Sequence, residues 1–154
     1  MILGIDTDVL VSWLVKVSPR HVDARRLIES QVRERGGLIA LTPLVVQEFL
    51  HVVTDPRRFE EPLSMPEAIQ RIGEIWESEE VVRILPSSEV MPRTLELLAD
   101  LRLGRKRILD TALAATLESA EVRRLATFNP GDFRIFDFLE LVDSPPKGPR
   151  PRLV

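Results

Sequence analysis

Short apolar runs alternate along the chain with longer stretches in which apolar residues return every three or four positions. The short runs are ILGI at 2–5, LIAL at 38–41, VVRIL at 81–85, RLAT at 124–127 and FLELV at 138–142. Each has the length of one strand, and near-continuous apolar character is what a strand covered on both faces requires. Between them the helical period predicts helices over 8–16, 20–34, 43–53, 65–78, 88–103 and 108–118. Strands that alternate with helices imply an α/β fold: a parallel sheet sandwiched by helices.

The punctuation agrees with this reading. Ser18-Pro19 opens the second helix and Gly36-Gly37 closes it. Thr42-Pro43 places a good N-cap before proline at the first helical position. Asp55-Pro56 stops that helix. Ser64-x-x-Glu67 is a capping box, Ser87 or Ser88 caps the next helix, and Gly104 ends it. Asn129-Pro130-Gly131-Asp132 has the residues of a type II turn. Residues 1–143 therefore read as one domain. Residues 144–154 (SPPKGPRPRLV) read as a proline-rich, basic and flexible tail.

Composition narrows the class. A chain of 154 residues with 44% hydrophobic and 29% charged residues can bury one full core and keep a charged surface. No apolar run approaches the roughly 20 residues of a membrane span, and MILGIDTD lacks the basic start of a signal peptide. A cytoplasmic protein without membrane contact is expected. There are no cysteines, which excludes disulfides and thiolate metal sites. The net charge of −3 does not suit a static nucleic-acid binder. Transient binding through a local patch remains compatible with it.

Four acids stand where acids are costly. Asp6 follows the strand ILGI, and in an open parallel sheet the carboxyl ends of the strands line the ligand crevice. Thr7 and Asp8 add a hydroxyl and a second acid; Asp6 or Asp8 also suits the N-cap of the following helix. Glu48 projects from a helical stripe of Leu44, Val45 and Val52. An unpaired buried carboxylate must be paired, protonated or bound to metal. Asp110 repeats this among Leu109, Leu113, Ala114 and Leu117, near a helix start whose dipole favours an anion. Asp132 is held by the turn after the strand RLAT, with Thr127 and Asn129 nearby. Carboxylates gathered in a crevice repel one another, and a hard divalent cation offsets that repulsion. Magnesium fits oxygen donors, and manganese fits the same set. Only two histidines and no cysteine argue against zinc.

In order along the chain these motifs are Asp6-Thr7 after a strand, Glu48 in VVQEFLHVV, Asp110 in ILDTALAAT, and Thr127-x-Asn129-x-x-Asp132-Phe133. This order resembles the PIN domain, in particular the VapC-type toxin ribonucleases of toxin–antitoxin pairs, over nearly the whole chain to about Val142. The resemblance implies a helix-covered parallel sheet and an endoribonuclease dependent on Mg2+ or Mn2+. It also implies cellular RNA as substrate, a homodimer, and a cognate antitoxin that blocks the site. Asp6, Glu48, Asp110 and Asp132 carry over as the acidic quartet and metal set; within it we take Asp6 and Asp110 as the direct ligands and Glu48 and Asp132 as second-metal or water-orienting groups. Thr7, Asn129 and Thr127 carry over as supporting groups. Asp8 departs from the family pattern, in which asparagine or serine is common at that place.

Arg105, Lys106 and Arg107, just before Asp110, are candidates to clamp RNA phosphates. Arg57-Arg58 and Arg123-Arg124 read as surface pairs, His51 as structural and His21 as a surface residue. Trp13 and Trp76 read as packing residues. Two rivals remain. One is a PIN-like scaffold that binds RNA or protein without cutting. The other is an aspartate-based phosphohydrolase suggested by Asp6-x-Asp8, for which lysines only at 16, 106 and 147 and no late acid pair are a poor supply.

Overall fold

A computed structural model describes residues 1–142. The expected tail, with its boundary at 143–144, lies outside the described residues. Five strands form one sheet: β1 (Ile2–Ile5), β2 (Leu38–Leu41), β3 (Val81–Arg83), β4 (Arg124–Ala126) and β5 (Glu140–Val142). Their order is β3-β2-β1-β4-β5, and every neighbouring pair is parallel. The chain first builds outward from β1 through β2 to β3. It then returns to the other side of β1 with β4 and β5. The order reverses between β1 and β4, so the crevice of an open α/β sheet opens at the carboxyl ends of these two strands.

Burial follows the pattern seen in the sequence. Leu3, Ile5, Ile39, Leu41 and Leu125 are fully buried on the central strands. Helices α1 (Thr7–Leu14), α2 (His21–Ile28), α3 (Pro43–Val53), α4 (Met65–Trp76), α5 (Val90–Asp100) and α6 (Ile108–Ser119) cover the sheet. They contribute Val9, Leu10, Leu27, Val45, Phe49, Ile72, Leu97, Leu113 and Leu117 to one continuous core. Trp13 and Trp76 pack half-buried against it. α6 passes so close to β1 that a Cβ on Gly4 would lie 3.0 Å from Leu117 Cδ1 and 3.2 Å from the Arg124 carbonyl. α5 is braced on α6 by Arg93, whose Nε and Nη2 donate to the two Glu118 oxygens at 2.7 and 3.0 Å.

Local chemistry fixes the boundaries. Thr42 caps α3 by accepting from the Val45 amide, and Ser64 and Glu67 form the expected capping box on α4. The helix expected over 20–34 is α2 continued by a π-helical turn, Glu29–Arg33, before Gly36 takes φ 62° and reverses the chain. The expected type II turn at 129–132 is instead a short helix, α7 (Pro130–Phe133), with Pro130 at its first position. Proline's fixed φ suits both places, but the Arg134 amide donates to the Pro130 carbonyl and closes a helical turn. Buried Phe133 and Phe136 then anchor that turn. α5 begins later than expected, because neither Ser87 nor Ser88 caps it. Ser87 Oγ lies 3.2 Å from Ser119 Oγ instead.

Candidate active site

Backbone amides set the first acid. The Asp6 amide donates to the Ala126 carbonyl, extending the β1–β4 pairing by one residue, and the chain then turns into α1. Asp6 is the N-cap of α1: its Oδ1 accepts from the Thr7 amide at 2.8 Å. Its Oδ2 accepts from the Thr127 hydroxyl at 2.9 Å. Both oxygens of one carboxylate are thus held between the ends of β1 and β4. Desolvation, aided by Asp8 and further by Asp110, outweighs these two hydrogen bonds and pushes the Asp6 pKa up to about 8.

Asp8 organises the loop opposite. Its Oδ2 accepts from the Phe128 amide at 3.1 Å and from Asn129 Nδ2 at 2.7 Å. The Asn129 amide in turn donates to Thr127 Oγ1 at 3.0 Å. Asp8 therefore fastens the β4–α7 loop to α1, and that loop delivers Asp132. Asp8 Oδ1 is buried without a hydrogen-bond partner. Burial raises its pKa, against the lowering effects of the Phe128 and Val9 amides and of Arg20. Arg20 itself stacks 3.6 Å over the Phe128 ring.

Glu48 reaches the same space from α3 and is half-buried. Desolvation raises its pKa and Asp110 adds to the rise, while Thr7 offsets part of it. The Thr7 hydroxyl nevertheless makes no well-formed hydrogen bond and is buried. Asp110, in the first turn of α6, is raised by desolvation and by Asp132, and lowered by Arg107. The neighbours of Asp110 are less enclosed than the sequence suggests: Leu113 and Leu117 are buried, but Ile108 and Leu109 are exposed. The first turn of α6 stands at the edge of the crevice, not inside the core.

All four predicted acids, with Thr7, Asp8 and Asn129, line a single crevice of about 700 Å³. Thr127 stands behind Asp6. Sequence reasoning missed Ser12, Gln47, His51 and Arg58, which also line it. Their signal was helical spacing: Ser12 is four residues after Asp8, and His51 three after Glu48. His51, expected to be structural, is exposed on this wall. Arg58, expected to be a plain surface pair, faces the crevice and lowers the Glu48 pKa. His21 is half-buried, with Nδ1 2.9 Å from the Ser12 carbonyl. Arg105 and Lys106 stay exposed on a 3-10 turn, Arg105–Arg107. Arg107 folds inward, with Nε 3.5 Å from Asp110 Oδ2 and Nη1 3.9 Å from Asp132 Oδ1.

The donor set is all oxygen at this point, and burial has raised three of the quartet. A hard divalent cation fits that chemistry, since it offsets the mutual repulsion of the carboxylates. The orphaned Asp8 Oδ1 and Thr7 Oγ1 add oxygen to the same wall. Among the described residues, however, no three acidic or histidine side chains are drawn together tightly enough to hold an ion as they stand.

The PIN domain model matches residues 4–139. The chain belongs to the PIN domain family. Among curated relatives, it is 29% identical to ribonuclease VapC24 of Mycobacterium tuberculosis over 141 residues, which is 92% of this chain and 95% of the relative. Among solved structures, its fold is similar to Mycobacterium tuberculosis VapC20, described as a sarcin-ricin loop cleaving toxin, with TM-score 0.67 and 17% identity over 87% of this chain and 95% of that one. It is also similar to a chain of VapBC2 from Rickettsia felis bound to a promoter DNA fragment, with TM-score 0.64 and 17% identity over 94% and 100% of the two chains. These likenesses match the parallel, helix-covered sheet of this PIN domain. No helix among its described residues is long and apolar enough to cross a membrane.

Proposed function

We propose that this PIN domain is a metal-dependent endoribonuclease that acts as the toxin of a toxin–antitoxin pair. The observation that carries the reading is the convergence of Asp6, Glu48, Asp110 and Asp132 on one crevice at the sheet's switch point. Full-length similarity to a relative named a ribonuclease supports RNA as the substrate class. Similarity to a chain of a toxin–antitoxin complex from Klebsiella pneumoniae supports a protein partner that silences it. A homodimer in solution belongs to the same reading.

Asp6 and Asp110 would hold Mg2+ or Mn2+, with Glu48 and Asp132 completing the oxygen set. When bound, such an ion supplies Lewis-acid activation of water and of the scissile phosphate. The chain's own groups do the rest. Thr127 and the Thr7 amide fix both Asp6 oxygens, so the carboxylate presents one geometry. Asp8 and Asn129 hold the β4–α7 loop, which keeps Asp132 near Arg107 and Asp110. Arg105 and Lys106, exposed on the turn just before α6, would meet phosphates of the incoming strand.

The test is cleavage of total cellular RNA by the purified chain. Cutting should vanish in EDTA and return with Mg2+ or Mn2+, and Asp110→Asn should lower it by orders of magnitude. Undiminished cutting in chelator, or by the Asp110→Asn protein, would overturn the metal mechanism.

A further inference from the structure

Arg107 is in an unusual place for a cation. It is the N-cap residue of α6, where Ser, Thr, Asp or Asn is usual, and it makes no side-chain cap. The positive end of a helix dipole repels a guanidinium. The backbone nonetheless holds it firmly: the Arg107 amide donates to the Gly104 carbonyl, and the Thr111 hydroxyl donates to the Arg107 carbonyl at 2.6 Å. Its side chain is only 25% exposed, and it turns toward Asp110 and Asp132. Neither contact is a good hydrogen bond, at 3.5 and 3.9 Å. Nε and Nη2 are buried with no hydrogen-bond partner. A guanidinium with five donors is thus spread between two carboxylates without satisfying itself on either.

Unsatisfied buried donors cost free energy, so this placement needs a compensating reason. The reason on the page is charge. Arg107 lies within 4 Å of both Asp110 and Asp132, and the Asp132 charge raises the cost of ionising Asp110. Arg107 is the cation that relieves the pair while no other cation is present.

We propose that Arg107 is an exchangeable counter-cation, which neutralises Asp110 and Asp132 in the metal-free chain and gives them up to the divalent ion on loading. This rests on the metal-dependent reading of the site. Arg107 competes with the metal for the same oxygens, so it lowers metal affinity and stabilises the empty site. Once displaced, it joins Arg105 and Lys106, its neighbours on the same 3-10 turn, as a cation available to substrate phosphate. It is a positioning residue for the carboxylates, not a catalytic one.

The experiment compares the wild type with Arg107→Met, which keeps side-chain length and removes charge. Mn2+ binding is measured by titration calorimetry, and Tm in EDTA and in saturating Mn2+. Arg107→Met should bind Mn2+ more tightly, by roughly tenfold, inside the range typical of coupled sites. Its Tm should fall in EDTA and recover most of the difference in Mn2+. A wild type that binds Mn2+ while Arg107→Met binds equally or more weakly, with the same Tm loss in both conditions, overturns the exchange and leaves the metal site standing. Absence of Mn2+ binding by both proteins overturns the exchange together with the metal reading beneath it. The wild type offers a second readout if the variant does not fold. The Arg107 Nε–H resonance should be protected from water in EDTA and lose that protection as diamagnetic Mg2+ is added. Protection unchanged at saturating Mg2+ would likewise overturn the exchange.

Discussion

At the scale of single residues, the site is a set of carboxylates whose protons, neighbours and cation compete. Asp6 shows the competition most clearly. Its pKa is raised from 3.8 to about 8, so the folded, metal-free chain binds a proton over a window where the unfolded chain does not. The stability linked to that proton is full below about pH 4 and is lost as pH rises through about 8. Asp8, Glu48 and Asp110, also raised, act in the same direction. Asp55 and Glu67, held low by hydrogen bonds from Arg57 and Ser64, act oppositely and only in more acidic solution. In EDTA, Tm should therefore fall between pH 5 and pH 9, and Asp6→Asn should flatten that slope. A slope unchanged in Asp6→Asn would assign the proton elsewhere. Asp110→Asn makes a different test. Its pair with Arg107 is partly solvated, so losing it costs at most about 1 kcal/mol, and relief of repulsion with Asp132 offsets that. The variant should melt within a few degrees of wild type, while RNA cleavage falls by roughly 10²–10³-fold or more, as when a group stabilising developing charge is removed. A folded variant that still cuts at the wild-type rate would remove Asp110 from the machinery.

At the scale of elements, the site depends on how closely β1, β4 and α6 meet. Gly4 is the tightest point, because its missing Cβ leaves room for Leu117 and the Arg124 carbonyl. Gly4→Ala would push α6, which carries Asp110, away from β1, which ends at Asp6. The expected cost is about 1–3 kcal/mol of overpacking, read as a fall of several degrees in Tm for a chain of this size. Cleavage should fall even where the variant is fully folded, and a variant with wild-type Tm and rate would show that α6 has slack. Much of this arrangement was legible in the residues. The apolar runs gave the strands, and acids following or interrupting apolar stripes gave the quartet. What escaped was decided by tertiary contact. Asn129-Pro130-Gly131-Asp132 carries turn residues that equally start a helix, and buried Phe133 and Phe136 settled the choice for α7. Asp6 and Asp8 were equivalent as caps until the Asp8 carboxylate was seen tied to Phe128 and Asn129, about 120 residues away. His51 joins the crevice because α3 turns that face toward the acids, and Arg58 reaches it from the turn that follows α3. Arg107 looked like one of three cations on a basic turn; only its inward side chain separates it from Arg105 and Lys106.

At the scale of the whole molecule, an RNA substrate would have to enter an acidic crevice on a chain of net charge −3. Arg58 lines the crevice wall, and Arg105 and Lys106 lie exposed on the turn just before α6, so cations for such a substrate would come from these two places. A small local patch gives weak, salt-sensitive association in place of a stable complex. An acidic crevice also suits a partner that inserts arginine, whose fork pairs with carboxylates in two places at once. Such a partner would occupy the oxygens proposed to hold the ion, and so would silence the nuclease without reaching its core. These features predict the behaviour of the chain in a growing cell. Expressed without its partner, the wild-type chain should arrest growth, and RNA from the arrested cells should carry new, discrete 5′ ends. The Asp110→Asn chain, accumulating to the same level, should leave both growth and RNA intact. Raising salt from 50 to 200 mM in the purified reaction should raise KM steeply and leave kcat nearly constant, because only the rim contacts are screened. Growth arrest by the Asp110→Asn chain would show that harm arises from something other than cleavage. Tolerance of an active wild-type chain that cuts RNA in vitro would keep the nuclease and sink the toxin.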